Sequence, residues 1–350
     1  PASYGSREKG RATKGAAYAL KSRVELYDKR YEDVIKSCAE VYKLGYELVD
    51  GTTPEKYRSI WWTTNKDNKE IIFDVQYKSP DVYNNMMVCN MVTYINDKYG
   101  DRGWGGLGPT QELIDAFEMA DGTPATQYSQ APADQVFDIN TCGIYEGREP
   151  RFYANIVFHG SQIFFNADKG AVTVDRYLMD TPDKGDGSLT GYNVWKWIDY
   201  DNYNYPYAGA GSPDFSTNWI ILRYAEIYLN DAEARLETGD VEGARKAVNM
   251  IRQRVGLPDL TESDPEKLRE LIRKERRIEF AFEEQRFYDV RRWKIGPETQ
   301  TTLHGVRFVS PTEFKVTKTD IRTWNDRLYL TPVPHDEIVR SSVLKQNPGY

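Results

Sequence analysis

Cysteine and histidine are scarce, with three of each in 350 residues. Cys38, Cys89 and Cys142 include no pair at metal or redox spacing, and His159, His304 and His335 are scattered. A zinc site and a disulfide scaffold are therefore not expected, although few cysteines do not fix the compartment. Apolar runs of about 18 residues are missing, so no segment reads as a membrane-spanning helix. Positive charge is not in excess. The 46 Lys and Arg against 53 Asp and Glu leave a net charge of −7, and no basic patch invites nucleic acid. The sequence begins at Pro1, and its first residues show neither a start methionine nor a signal-peptide pattern. Aromatic side chains, by contrast, are plentiful: 25 Tyr and 8 Trp. Such rings serve ligand platforms as well as cores.

The stretch from Asn218 to Trp293 reads as three consecutive helices. The first carries Leu222, Ala225, Leu229, Ala232 and Leu236 at steps of three and four. Thr238-Gly239-Asp240 breaks it, with Gly239 suited to a left-handed helix end and Asp240 to capping the next helix. The second carries Ala244, Ala247, Val248, Ile251 and Val255, and Gly256-Leu257-Pro258 stops it. Ser263-Asp264-Pro265-Glu266 opens the third as a capping-box pattern with proline in the first turn. It runs through Leu268, Leu271, Ile272, Ile278 and Phe282.

Acids interrupt these apolar faces. Glu275 and Glu279 fall in the middle of the third helix's stripe, and Glu226 and Glu233 do the same on the first. Carboxylates four residues apart on a helix sit about 5–6 Å apart at Cβ. That is close to the carboxyl separation of a retaining glycosidase, about 5–5.5 Å. The competing reading is inter-helix ion pairing with Arg223, Arg252, Arg286 and Arg291, because acids in a packed face must be paired. The ion-pair reading is preferred, since structural networks imitate active sites.

Residues 10–45 read as another helix pair. Ala16, Ala17, Leu20, Val24 and Tyr27 form its first stripe, Asp28-Lys29-Arg30 its turn, and Val34, Ile35, Cys38, Val41 and Tyr42 its second stripe. Cys38 is expected to be a small core residue. Both regions are helix-turn-helix units near tetratricopeptide length, separated by a long insertion. In the insertion, Ile71, Phe73, Val75 and Tyr77 alternate as a half-buried strand, and Phe152, Ala154, Ile156 and Phe158 suggest another. A helix is expected over Thr110–Met119. After Trp293, short strands are expected at Val306–Phe308, Phe314–Val316 and Leu328–Leu330.

Gly103-Trp104-Gly105-Gly106-Leu107-Gly108 matches G-x-G-x-x-G, but no strand precedes it and a tryptophan would crowd a phosphate. The better reading is a long loop, 79–108, presenting Trp104. Its composition nominates Trp104, Tyr99 and Tyr83 as stacking residues, with Asp101 and Arg102 as polar partners for a bound ligand. Loop packing is the alternative for each. A second aromatic stretch, from Tyr192 to Tyr207 with Trp195 and Trp197, reads better as a loop pinning itself to the helices.

Several segments carry a family resemblance. Leu222-Arg223-Tyr224-Ala225-Glu226, Asn249-Met250-Ile251-Arg252, Glu275-Arg276-Arg277-Ile278-Glu279-Phe280 and Arg286-Phe287-Tyr288-Asp289-Val290-Arg291-Arg292-Trp293 occur in this order. Glu149-Pro150-Arg151-Phe152, Pro109–Glu118, Leu328–Pro334 and the end at Gln346–Tyr350 add to them. Together they resemble the SusD/RagB family of surface nutrient-binding lipoproteins of Bacteroidetes. The resemblance implies a mainly α, tetratricopeptide-like scaffold with long loops and a few short strands, as a single domain over residues 1–350. It implies an oligosaccharide ligand, a SusC-like TonB-dependent transporter as partner, a place at the outer-membrane surface, and neither cofactor nor catalysis. The family's N-terminal helices and lipid anchor are expected to be missing from this chain. Alternatives are a peptide-binding, RagB-like protein, a pure protein–protein scaffold, or a glycoside hydrolase using Glu275 and Glu279.

Overall fold

A computed structural model describes the chain apart from residues 6–7, 79–80, 83–89, 91, 93–103, 165–170, 180–187 and 200–215. In chain order, α1 (Lys14–Tyr27) and α2 (Tyr31–Tyr42) form a hairpin, and α3 (Pro54–Arg58) leads to β1 (Ile71–Val75). Then come α4 (Gln111–Ile114), β2 (Val136–Asp138), α5 (Pro150–Asn155), β3 (Ile156–Val157), β4 (Gln162–Phe164), β5 (Ala171–Thr173) and β6 (Asn193–Val194). β7 (Trp219–Arg223) feeds α6 (Tyr224–Glu237), α7 (Val241–Arg254), α8 (Pro265–Glu279) and α9 (Gln285–Arg292), and a hairpin of β8 (Thr301–Phe308) and β9 (Glu313–Arg322) follows.

The helix pairs are set by their caps and turns. Thr13 accepts from Ala16 N at the start of α1, and Asp240 accepts from Gly243 N at the start of α7. Gly239 takes φ +87 in the turn between α6 and α7, where a side chain would be strained. α2 packs on α6: Val34, Cys38 and Val41 share one apolar cluster with Ile227 and Ala234. The Cys38 thiol donates to Ile227 O at 3.5 Å, so it fills the core as expected. Leu229, Ala232, Val248, Ile251, Leu268 and Ile272 join α6, α7 and α8 in a second cluster. Burying each such leucine or isoleucine contributes about 1.5–3 kcal/mol.

Strands are short and antiparallel. β1 pairs with β7, placing Ile71 opposite Arg223; β2, β9 and β8 form a three-stranded sheet; β3 pairs with β6 and β4 with β5. Phe314 of β9 lies with Phe117, Phe152 and Tyr192 in the cluster beneath that sheet. Tyr192, Trp195 and Trp197 are buried, and the Trp197 indole donates to Phe282 O at 3.2 Å. These rings pin the insertion to the helices; Tyr200, Tyr203, Tyr205 and Tyr207 lie outside the described residues.

Several local expectations are corrected. Leu222 belongs to β7, because pairing with β1 captures the chain before α6 begins. Pro150 sits in the first turn of a helix, so the apparent alternation from Phe152 continues as strand only at Ile156 and Val157. Leu20 and Val24 are exposed; the inner face of α1 instead carries Ala16, Ala19, Ser22, Glu25 and Leu26. The polar pair is tolerated there because Ser22 Oγ donates to Ala19 O at 2.8 Å and Ser37 Oγ donates to Glu25 at 2.6 Å. Asp264, not Ser263, caps α8. That helix ends at Glu279, since Phe282 adopts a left-handed φ of +66. The helix expected from Thr110 is α-helical only over α4, and residues Asp326–Tyr329 form a 3-10 turn where a strand was expected.

Candidate functional site

The strongest constellation of charged groups is an ionic centre where β7, α5, α7 and α8 meet. Glu279 is fully buried, at 0% exposure, and Glu275 nearly so. Arg151 Nη1 donates to Glu275 at 2.5 Å and to Glu279 at 3.0 Å. Arg223 reaches Glu279 at 2.6 Å, and Arg254 completes its shell. Arg252 donates to Glu275 at 3.1 Å and to Glu118 at 2.9 Å. Glu70, from the turn before β1, accepts from Arg223 at 2.9 Å and from Arg254 at 3.1 Å. Buried Lys196 donates to Glu279 O at 2.7 Å and to Ala281 O at 3.1 Å, and pairs with Glu283 at 2.5 Å.

Electrostatics match this geometry. Burial pushes the Glu279 carboxyl up, but Arg254, Arg223, Arg151 and Lys196 outweigh it and hold the carboxyl well below its ordinary range. Lys196 is pulled down to about 8 by burial, against the opposing attraction of Glu283. A carboxyl kept ionised among arginines cannot donate a proton to a leaving group, and both acids are covered. The geometry therefore makes Glu275 and Glu279 members of an ion-pair core, not a glycosidase pair.

Of the arginines expected as partners, Arg223 and Arg252 are found there. Arg291 instead donates to Phe287 O at 2.9 Å, and neither it nor Arg286 joins the centre. Arg151, Arg254, Glu70 and Lys196 were not foreseen. Arg151 had a signal, since it follows Glu149-Pro150 and Glu149 holds it at 2.6 Å. Glu226 and Glu233 are likewise paired, with Arg23 and Arg292.

Of the nominated ligand residues, Trp104 is described, and it is 66% exposed. Tyr83, Tyr99, Asp101 and Arg102 lie outside the described residues. The segment after Trp104 is held by a close approach: a Cβ on Gly108 would stand 2.8 Å from Thr190 Oγ1. Thr190 O in turn accepts from Val306 N of β8 at 2.9 Å, and Gly305 of β8 abuts the Thr190 backbone. The chain thus anchors at Gly108 while Trp104 and half-exposed Leu107 remain at the surface. The arrangement offers an aromatic face without burying it.

A SusD-like protein of Bacteroides fragilis NCTC 9343 is 99% identical and superposes with a TM-score of 0.95, covering 100% of this chain and 68% of its own. A SusD-like carbohydrate binding protein from the same organism is 25% identical with a TM-score of 0.75, over 96% of this chain and 65% of its own. SusD-like protein P2 of Formosa agariphila is 38% identical over 155 residues; the match takes in 41% of this chain and 28% of that relative's length. Residues 69–350, which include the ionic centre and the Trp104 segment, match the profile of the SusD family, and the chain belongs to that family.

Proposed function

We propose that this chain captures oligosaccharide at the outer-membrane surface and hands it to a SusC-like TonB-dependent transporter, binding without cleaving. Membership of the SusD family carries the reading, with a carbohydrate-binding protein among the similar structures. The exposed indole of Trp104 supports it, because a sugar presents a face of C–H groups that can lie on an aromatic ring while its hydroxyls take hydrogen bonds at the edge. Tyr83, Tyr99, Asp101 and Arg102 are proposed with it on loop composition alone. Residues 1–350 are taken as a single SusD-like unit. Among the described residues no helix is long and apolar enough to cross a membrane.

An array of glycans and peptides probed with the 350-residue chain tests this. Binding to glycans with silent peptides is the expected result. Peptide binding alone would favour the RagB-like alternative, and release of reducing sugar from a bound glycan would overturn the non-catalytic reading.

A further inference from the structure

The turn between α8 and α9 walls a cavity of about 430 Å³ that shares no residue with the Trp104 segment. Its size falls among small-molecule sites, about 300–1,000 Å³. Arg23 and Tyr27 of α1, Trp219 of β7, and Glu284, Gln285 and Tyr288 line it. The Tyr27 and Tyr288 rings lie 6.1 Å apart, tilted by 34°. They offer aromatic surface, and the Trp219 indole adds more.

Polar capacity in this cavity is partly unspent. Arg23 uses Nε and Nη2 on Glu226, at 2.6 Å each, and Nη2 also donates to Ile221 O at 2.7 Å. Its Nη1 makes no hydrogen bond to a described residue. The Glu284 carboxylate and the Gln285 amide nitrogen make none either, and the Tyr27 and Tyr288 hydroxyls interact with Arg23 only electrostatically. Burial pushes the Tyr27 phenol up to about 12.

The wall is also held in an unusual backbone. Phe282 and Glu284 have φ of +66 and +65, left-handed values that residues other than glycine rarely take. Between them, Glu283 is clamped by Arg223 at 2.7 and 2.8 Å and by Lys196 at 2.5 Å. The clamp overdetermines the turn and points Glu284 outward, and strain of this kind gathers at ligand sites. The charges of Arg23 and Glu283 are already neutralised by Glu226, Arg223 and Lys196. What remains is aromatic surface, unspent donors and one carboxylate, a lining that suits a polyhydroxylated neutral ligand.

We propose that this cavity is a second carbohydrate subsite, taking one neutral sugar residue of an oligosaccharide; the proposal rests on the oligosaccharide-capture reading above. Titration calorimetry on the 350-residue chain with maltoheptaose, cellohexaose, laminarihexaose and mannohexaose tests it. Wild type, Trp104→Ala, Tyr288→Ala and Tyr27→Phe are compared, each with a thermal melt. For an oligosaccharide that binds, two sites per chain are expected. Tyr288→Ala should weaken one of them about tenfold, as loss of an anchoring aromatic does, while Trp104→Ala weakens the other. Tyr27→Phe deletes one hydroxyl, so it should leave the melting temperature in place and still weaken the cavity site severalfold. Wild-type affinity in Tyr27→Phe, or a single site lost in Trp104→Ala and kept in Tyr288→Ala, would overturn the cavity and leave oligosaccharide capture standing. No binding of any saccharide would overturn both.

Discussion

Arg223 grips Glu279 twice. Its Nη1 donates to the carboxylate at 2.6 Å, and its Nη2 donates to the carbonyl of the same residue at 2.9 Å. One guanidinium therefore neutralises the acid and also satisfies a carbonyl at the end of α8, where no intrahelical partner exists. Arg223 is the last residue of β7, so the contact ties the β1–β7 pair to α8.

Removing one partner of such a centre strands the others. Glu279→Ala is expected to destabilise the fold by about 3–5 kcal/mol, the cost of leaving buried arginines uncompensated. Urea denaturation of wild type and variant measures it. A loss below 1 kcal/mol would mean that the arginines find water or new partners.

The same charges set an acid limit. Burial opposes ionisation of Glu279, Glu226 and Glu233, but the arginines beside each win and lower its folded-state pKa below the ordinary 4.5. The unfolded chain then binds more protons as pH falls, so the stability these acids contribute is full above about pH 4.5 and is lost as pH drops through their folded values. Denaturation midpoints taken from pH 6 to pH 3 should fall below about 4.5, and Glu279→Gln should show a shallower fall than wild type. Parallel curves would remove Glu279 as a source of the slope.

Trp104→Ala separates binding from folding. Affinity for an oligosaccharide should drop by about 1–3 kcal/mol, as for an aromatic hot spot, with the melting temperature nearly unchanged. Calorimetry with thermal melts decides it. A large fall in melting temperature would make Trp104 a packing residue instead.

Gly305 of β8 lies against backbone that cannot move aside. A Cβ there would stand 2.5 Å from both Cα and O of Thr190. Gly305→Ala should cost about 1–3 kcal/mol through overpacking, read as a lower melting temperature. Unchanged stability would show that residues 188–192 can shift off the sheet.

Local periodicity and turn chemistry in the sequence were enough to determine the helical frame. Apart from Leu222 and Phe282 at their ends, the stripes of α6, α7 and α8 stand where the pattern puts them, as do the Gly239 turn and the Asp240 cap, because they depend on neighbours within a few residues. The same short-range information implied that acids inside apolar faces must be paired. Which arginines pair them was decided only by the tertiary fold. Arg151 reaches Glu279 across 128 residues of chain, and Arg223 meets Glu70 across 153. Burial of α1 was decided the same way: Leu20 and Val24 fit the periodicity, yet Ser22 and Glu25 face inward because Ser37 and Asn230 stand there to meet them. At Leu222, pairing with a strand about 150 residues earlier overrode a helical pattern. The cavity beside Tyr27 and Tyr288 had no sequence signal, because its walls come from α1, β7 and α9, and only packing brings those three together.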